Sequence, residues 1–282
     1  MSNFVVYNGQ LVHEEEVLIS PINRGMMYGD GCFDTFRSYK AKFLSLEAHF
    51  ERTKAAAEYL GIDVVFDFEG FKVKILELLE ANELLNKDAM VRVQCWRGGS
   101  RGYRTNSSQG NWITHCTPYS PVEAPISLAS VNTRAIPSEA LDRRFKLSNG
   151  INYIIASREA FKKGADDALM LTTNGKVSET TIANLFWIKE NTCFTPSLEC
   201  DLFPGVTRSI LIKELTEHNG VNVIEGQFTL EEIKKAEAVF ATNSLREVVL
   251  VSSIDEVRFD STHDSIEIVR RVYERFKKRN LK

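Results

Sequence analysis

The chain has 282 residues, 43% of them hydrophobic and 26% charged, with a formal net charge of −3. That length suits one large or two modest domains with an ordinary core, and the near-neutral charge excludes nucleic acid and an anionic membrane as expected partners. No apolar run approaches the ~20 residues that span a bilayer, the start "MSNFVVYNGQLVHEEE" has no basic region or cleavage pattern, and a cytoplasmic protein is expected.

In chain order, "FVVYNGQLV" reads as a hairpin about the Asn8-Gly9 turn. "CFDTFRSYKAKFLSL" reads as two more strands. "SLEAHFERTKAAAEYLGI" has helical spacing at Leu46, Phe50, Thr53, Ala57 and Leu60, with Ser45 as its cap and Gly61 as its stop. A helix over 68–85 follows, then strands in "AMVRVQCWRGG" and "GNWITHCTPY" around a loop rich in Gly, Ser and Arg. Three prolines in "TPYSPVEAP" mark a boundary. The expected division is a small α+β domain over 1–118, a linker over 119–125 and a larger α+β domain over 126–282. The second domain opens with the strand "ISLASVNTRAI", then a helix over 151–163. Two or three strands with an Asn174-Gly175 turn follow, and "GVTRSILIKELTEHNG" reads as a helix. Thr229 and Glu232 form a capping box, "AVFAT" is a short strand, and "NSLRE" is a loop. Strands and helices mix without regular βαβ alternation, which predicts the α+β class. Cys32, Cys95, Cys116, Cys193 and Cys200 form no CxxC pair; reduced structural thiols are expected and a metal site is not.

Four features suggest chemistry. Lys146 follows an aromatic residue and precedes the turn Ser148-Asn149-Gly150 and a helix, a setting that a surface lysine does not require. Glu179 lies within "KVSETTIANLFWI"; it is either an outward carboxylate on an edge strand or a buried one that needs a partner. Gly205-Val206-Thr207 opens a helix, where free amides suit a phosphate and Thr207 can equally be a plain cap. Arg52 stands three residues after His49 and read alone is a solvated helix arginine. Together, a lysine, a carboxylate, a phosphate cradle and an arginine are the parts of a pyridoxal phosphate site.

The strings "RGMMYGDGCFDTFR", "LEAHFERT", "RGGSRGY", "FKLSNGINY", "GADDALML", "GKVSETTIANLFWI", "FTPSLECDLFPGVTR" and "AEAVFATNSLREVVLV" run nearly end to end. In that order they resemble the class-IV aminotransferase family, the fold-type IV pyridoxal phosphate enzymes. The resemblance implies two α+β domains with pyridoxal 5'-phosphate between them, a homodimer, and a small-molecule amine as substrate. It implies that Lys146 binds the cofactor aldehyde covalently and that Glu179 faces the pyridine nitrogen. Arg52, with the amides of Val206 and Thr207, is implied at the phosphate, and Asn243 and Ser244 at a second phosphate-side loop. Arg101, Tyr103 and Asn243 are candidate substrate-side residues.

The family carries out more than one reaction. Thr35 in "GDGCFDTFR" stands where aminodeoxychorismate lyases, enzymes of folate biosynthesis, have a catalytic hydroxyl, and "RGGSRGYRTNSS" and "TNSLRE" are lyase-like. Asp34 stands where Glu or Thr is more usual, and the Asn-Tyr pair of "FKLSNGINY" is similar to branched-chain aminotransferases. The expected activity is therefore aminodeoxychorismate lyase, with a branched-chain or D-amino-acid transaminase as the alternative. A non-catalytic dimer on the same scaffold is the reading from another class; the joint presence of Lys146, Glu179 and Arg52 weighs against it. Thr35 itself could be a β-branched residue filling a strand. No Rossmann glycine pattern appears, which excludes dinucleotide binding.

Overall fold

The computed structural model describes residues 3–64, 67–99, 101–219, 221–260 and 262–281, apart from the side chains at 218 and 219. The chain forms two compact units, one of Met1–Ser120, Phe145–Asn149 and Leu281–Lys282, the other of Pro121–Arg144 and Gly150–Asn280.

The first unit begins with strands β1 (Phe4–Tyr7) and β2 (Gln10–His13). Asn8 and Gly9 both take positive φ, the primed turn expected of this dipeptide. Helix α1 (Arg24–Tyr28) is capped by Asn23, whose side chain accepts from the Met26 amide. Strands β3 (Gly31–Tyr39) and β4 (Lys42–Phe43), helices α2 (Leu46–Tyr59) and α3 (Phe68–Ala81), and strands β5 (Asp88–Arg97) and β6 (Gly110–Pro118) follow. The antiparallel sheet runs β2-β1-β6-β5-β3-β4. Phe36 of β3 meets Phe43 of β4 and Phe71 of α3, and Phe71 meets Phe50 of α2, so one face of the sheet is sealed by the two helices.

Two local expectations change here. Ser45 does not cap α2; it sits at φ 55 and makes no side-chain cap bond, because the short β4–α2 connection puts it in a left-handed turn. Helix α3 ends at Ala81 rather than 85. Asn82 leaves the helix to exchange hydrogen bonds with both backbone groups of Phe4, a tertiary contact that local propensity does not encode.

Residues 145–149 also differ from expectation. The second domain was expected to carry Lys146, yet this segment lies along β3. The Phe33 amide donates to the Lys146 carbonyl at 3.0 Å, and the Ser148 amide to Gly31 at 2.9 Å. Backbone pairing, not chain order, decides which unit holds the lysine.

The second unit contains β7 (Ile126–Arg134), α4 (Ile151–Lys162), β8 (Asp167–Leu171), β9 (Val177–Thr180), β10 (Asn184–Lys189), β11 (Thr192–Pro196), α5 (Val206–Asn219), β12 (Val223–Gly226), α6 (Leu230–Ile233), β13 (Ala238–Asn243), β14 (Glu247–Ile254), β15 (Val257–Arg258) and α7 (Asp264–Asn280). Its sheet runs β12-β11-β10-β13-β14-β7-β8-β9, and β9 also pairs with β10. The strands from β10 to β9 therefore close on themselves. Leu128, Leu169, Val177, Leu185, Trp187, Ala241 and Val251 pack into one core. Outside, Ala156 and Ala160 of α4 pack against Ala129, Val131, Ala168 and Met170; small residues let the helix lie close to the sheet.

The stretch expected to hold two or three strands forms four. A tight turn splits it: the Ile182 and Ala183 amides both donate to Thr180 Oγ1, at 3.2 and 2.9 Å. That turn sets Glu179, at the end of β9, directly opposite Asn184, at the start of β10.

Candidate active site

Strand alternation sorts the residues of β3 onto two faces. Asp34 faces α2 and is fully buried. Arg52 grips it with two guanidinium nitrogens, the Nε contact at 2.5 Å, and His49 Nδ1 lies 3.1 Å from Asp34 Oδ2. Burial raises the Asp34 pKa, but Arg52 and His49 outweigh it and hold the carboxyl well below the ordinary range. The His49 pKa is lowered: burial is the largest cause, the Asp34 carboxylate opposes it, and the Arg52 and Lys146 charges add to the lowering. Arg52 is thus not a plain solvated arginine; its planar fork is oriented by a buried carboxylate.

The other face carries Phe33 and Thr35. Arg92 lies opposite Thr35 on β5. Its guanidinium stands 3.9 Å from the Phe33 ring centroid and its Nη1 approaches Thr35 Oγ1 at 3.4 Å. His115 pairs with Arg92 across β6; its pKa is lowered by burial and by the Arg92 charge. The Lys146 ammonium stands 4.9 Å from the same Phe33 ring, and Phe145 stacks on Tyr59 at 4.3 Å. The aromatic residue before Lys146 is therefore an anchor on α2, while its backbone is tied to β3. The first unit brings together Lys146, Arg52 and Thr35 around one strand.

Arg101 and Tyr103 are exposed. They flank Gly102, whose amide donates to the Tyr28 hydroxyl at 2.9 Å and whose carbonyl accepts from Arg24 at 2.6 Å.

In the second unit, Glu179 is 5% exposed, so it is no outward edge carboxylate. It accepts from the Tyr153 hydroxyl at 2.7 Å and the Phe203 amide at 3.0 Å. Arg143, itself buried, lies 3.6 Å from it and donates to the Tyr153 hydroxyl. Val206 and Thr207 open α5, and the first amides of a helix have no partner within it. Asn243 accepts from the amides of Leu245 and Arg246 at 3.0 and 2.8 Å. Its side chain thus shapes the loop that holds Ser244. Sequence reading missed Tyr153, Arg143 and Asn184 as partners of Glu179; the available signal was a polar residue opening the apolar strand "NLFWI".

The first unit thus offers a half-buried lysine and an oriented arginine, and the second a buried carboxylate and a helix start; each residue type suits one part of a phosphorylated pyridine aldehyde. Residues 31–254 match the family described as Amino-transferase class IV. The chain belongs to that family. It is accordingly an enzyme of transaminase or lyase type, and the family cofactor is pyridoxal 5'-phosphate. It is 31% identical, over 97% of its length and 95% of the relative's, to a Methanocaldococcus jannaschii protein provisionally named a branched-chain-amino-acid aminotransferase. It is 28% identical to the aminodeoxychorismate lyase of Bacillus subtilis, over 91% of this chain and 88% of that one. The crystal structure of a branched-chain aminotransferase from Thermoproteus uzoniensis with norvaline superposes with a TM-score of 0.92 at 24% identity, covering 100% of this chain and 99% of that one; this likeness establishes the fold.

Proposed function

We propose that this protein is an aminodeoxychorismate lyase, converting 4-amino-4-deoxychorismate to 4-aminobenzoate and pyruvate. The observation that supports it most is Thr35. Its hydroxyl lies beside Arg92 on the face of β3 where the Lys146 ammonium stands over Phe33. Asp34, whose charge could have reshaped the surroundings of Thr35 for an amino-acid side chain, is turned to the other face and neutralised.

When bound, the cofactor supplies an aldehyde that takes up the substrate amine and a ring that accepts electrons. Lys146 would hold that aldehyde between turnovers, and its Nζ would take the proton from the substrate carbon bearing the amine. The Thr35 hydroxyl donates to the ether oxygen as the enolpyruvyl group leaves. Arg92 contributes a cation for a substrate with two carboxylates. Glu179 would face the pyridine nitrogen, and Arg52 and the amides of Val206 and Thr207, with Asn243 and Ser244 on the neighbouring loop, would hold the phosphate. Formation of an aromatic product makes the step run downhill. The same reading takes the protein as a cytoplasmic homodimer serving folate biosynthesis.

The alternative, transamination of a branched-chain or D-amino acid with a 2-oxo acid acceptor, draws on the likeness to the M. jannaschii protein. One assay separates them. Pure protein is given aminodeoxychorismate, and separately a panel of L- and D-amino acids with 2-oxoglutarate or pyruvate. Release of 4-aminobenzoate with pyruvate is expected; rapid transamination with no such release overturns the lyase reading.

A further inference from the structure

We propose that Asn184 is a positioning residue that ties the carboxylate of Glu179 to the phosphate end of the site, so that both cofactor anchors in the second unit move as one. The proposal rests on the assignment of Glu179 and the α5 start to the cofactor.

Asn184 opens β10 directly opposite Glu179 on β9 and Thr242 on β13, and is 4% exposed. Its Nδ2 donates to the Phe203 carbonyl at 2.8 Å and more weakly to Glu179 Oε2 at 3.4 Å. Its Oδ1 accepts from the Gly205 amide at 3.2 Å. The two partners fix the amide orientation, since a carbonyl can only accept and an amide N–H can only donate. Phe203 closes the ring, because its own amide donates to Glu179 Oε2 at 3.0 Å. One side chain therefore joins the carboxylate, the Phe203–Gly205 turn and, at the next residue, the first amides of α5.

Gly205 supplies independent support. A Cβ built there would lie well inside contact distance of Asn184 Oδ1. The turn is drawn against Asn184 as closely as only glycine permits. The cofactor is a rigid ring with its nitrogen on one edge and its phosphate on another, so its two anchors need a fixed separation. A backbone turn left to itself does not hold one; a buried amide bonded on both sides does.

The test measures binding rather than turnover. Full-length protein freed of cofactor is titrated by equilibrium dialysis with pyridoxal 5'-phosphate and with pyridoxal, which lacks the phosphate. The ratio of the two affinities reads the phosphate anchor. Asn184→Ser should lower affinity for the phosphorylated form at least tenfold and shrink that ratio. It should also shrink the loss of affinity caused by Glu179→Gln, because the two anchors no longer act together. Gly205→Ala should reproduce the loss in the parent and cost less than half as much, on a logarithmic scale, in the Asn184→Ser background, where the clash is relieved. This second pair keeps the proposal testable if Asn184→Ser alone folds poorly. Additive effects of Gly205→Ala and Asn184→Ser overturn the proposal, as does an Asn184→Ser ratio within twofold of the parent. A parent that binds both forms equally overturns the assignment of the helix start, and this inference with it.

Discussion

Adjacent residues of β3 meet different chemistry. Asp34 is sealed against Arg52 and His49, while Thr35 is half-buried beside Arg92. Thr35→Val removes a donor and little volume. Under the lyase reading it cuts 4-aminobenzoate formation at least tenfold, in line with the ~10²–10⁴ of a placed acid–base group, and spares cofactor binding measured by dialysis. Lys146→Ala should abolish turnover and the yellow colour of the loaded protein, while its circular dichroism matches the parent; full activity removes the lysine from the mechanism. Glu179→Gln can be accommodated. The amide oxygen keeps the bond from Phe203, and the new NH₂ group can donate to the Tyr153 hydroxyl. A large fall in turnover is expected even at cofactor concentrations that saturate the variant. A loss under about threefold, ~0.7 kcal/mol of barrier, refutes the role.

At the scale of elements, the seam between β3 and α2 decides how Arg52 is presented. His49 and Arg52 share one face of α2 at a spacing of three, and both reach Asp34. Asp34→Asn leaves the guanidinium without its counter-charge in a buried place. Equilibrium denaturation should record a loss of about 3–5 kcal/mol, together with weaker cofactor binding as the arginine loses its fixed orientation. A stability equal to the parent's means that the pair is not what holds the seam. Helix boundaries behaved similarly. The capping box of α6 was legible because Thr229 and Glu232 are local partners. The end of α3 was not, because Asn82 answers to β1.

For the whole molecule, the same buried trio contributes to acid sensitivity, and His115, whose pKa is also lowered, adds to it with the same sign. The His49 pKa is lowered in the folded state, so the unfolded chain takes the proton first. Stability is fully present above the unfolded value, ~6.5, and falls as pH drops below it. The Asp34 pKa is also lowered; its contribution is present above ~3.9 and is lost as pH falls further. Melting temperature should therefore decline from pH 7 to 5 and more steeply below pH 4. His49→Gln should flatten the first segment. An unchanged slope between pH 7 and 5 in that variant assigns the effect elsewhere.

The sequence by itself determined the fold class, the family and the chemical type of each candidate residue. Periodicity, turns such as Asn8-Gly9 and the α6 capping box are short-range, and motif order carries across the whole chain. Tertiary structure alone decided partnership. Nothing near Glu179 in the chain announces Tyr153 or Arg143, Asn184 shows only as a polar residue opening an apolar strand, and nothing near Arg52 marks Asp34 as its counter-ion. Lys146 lies within the later half of the sequence yet belongs with β3, since its backbone bonds there. Hydrogen bonds and charge pairs form between strands brought side by side by burial of the core, and that adjacency has no local signature in the sequence.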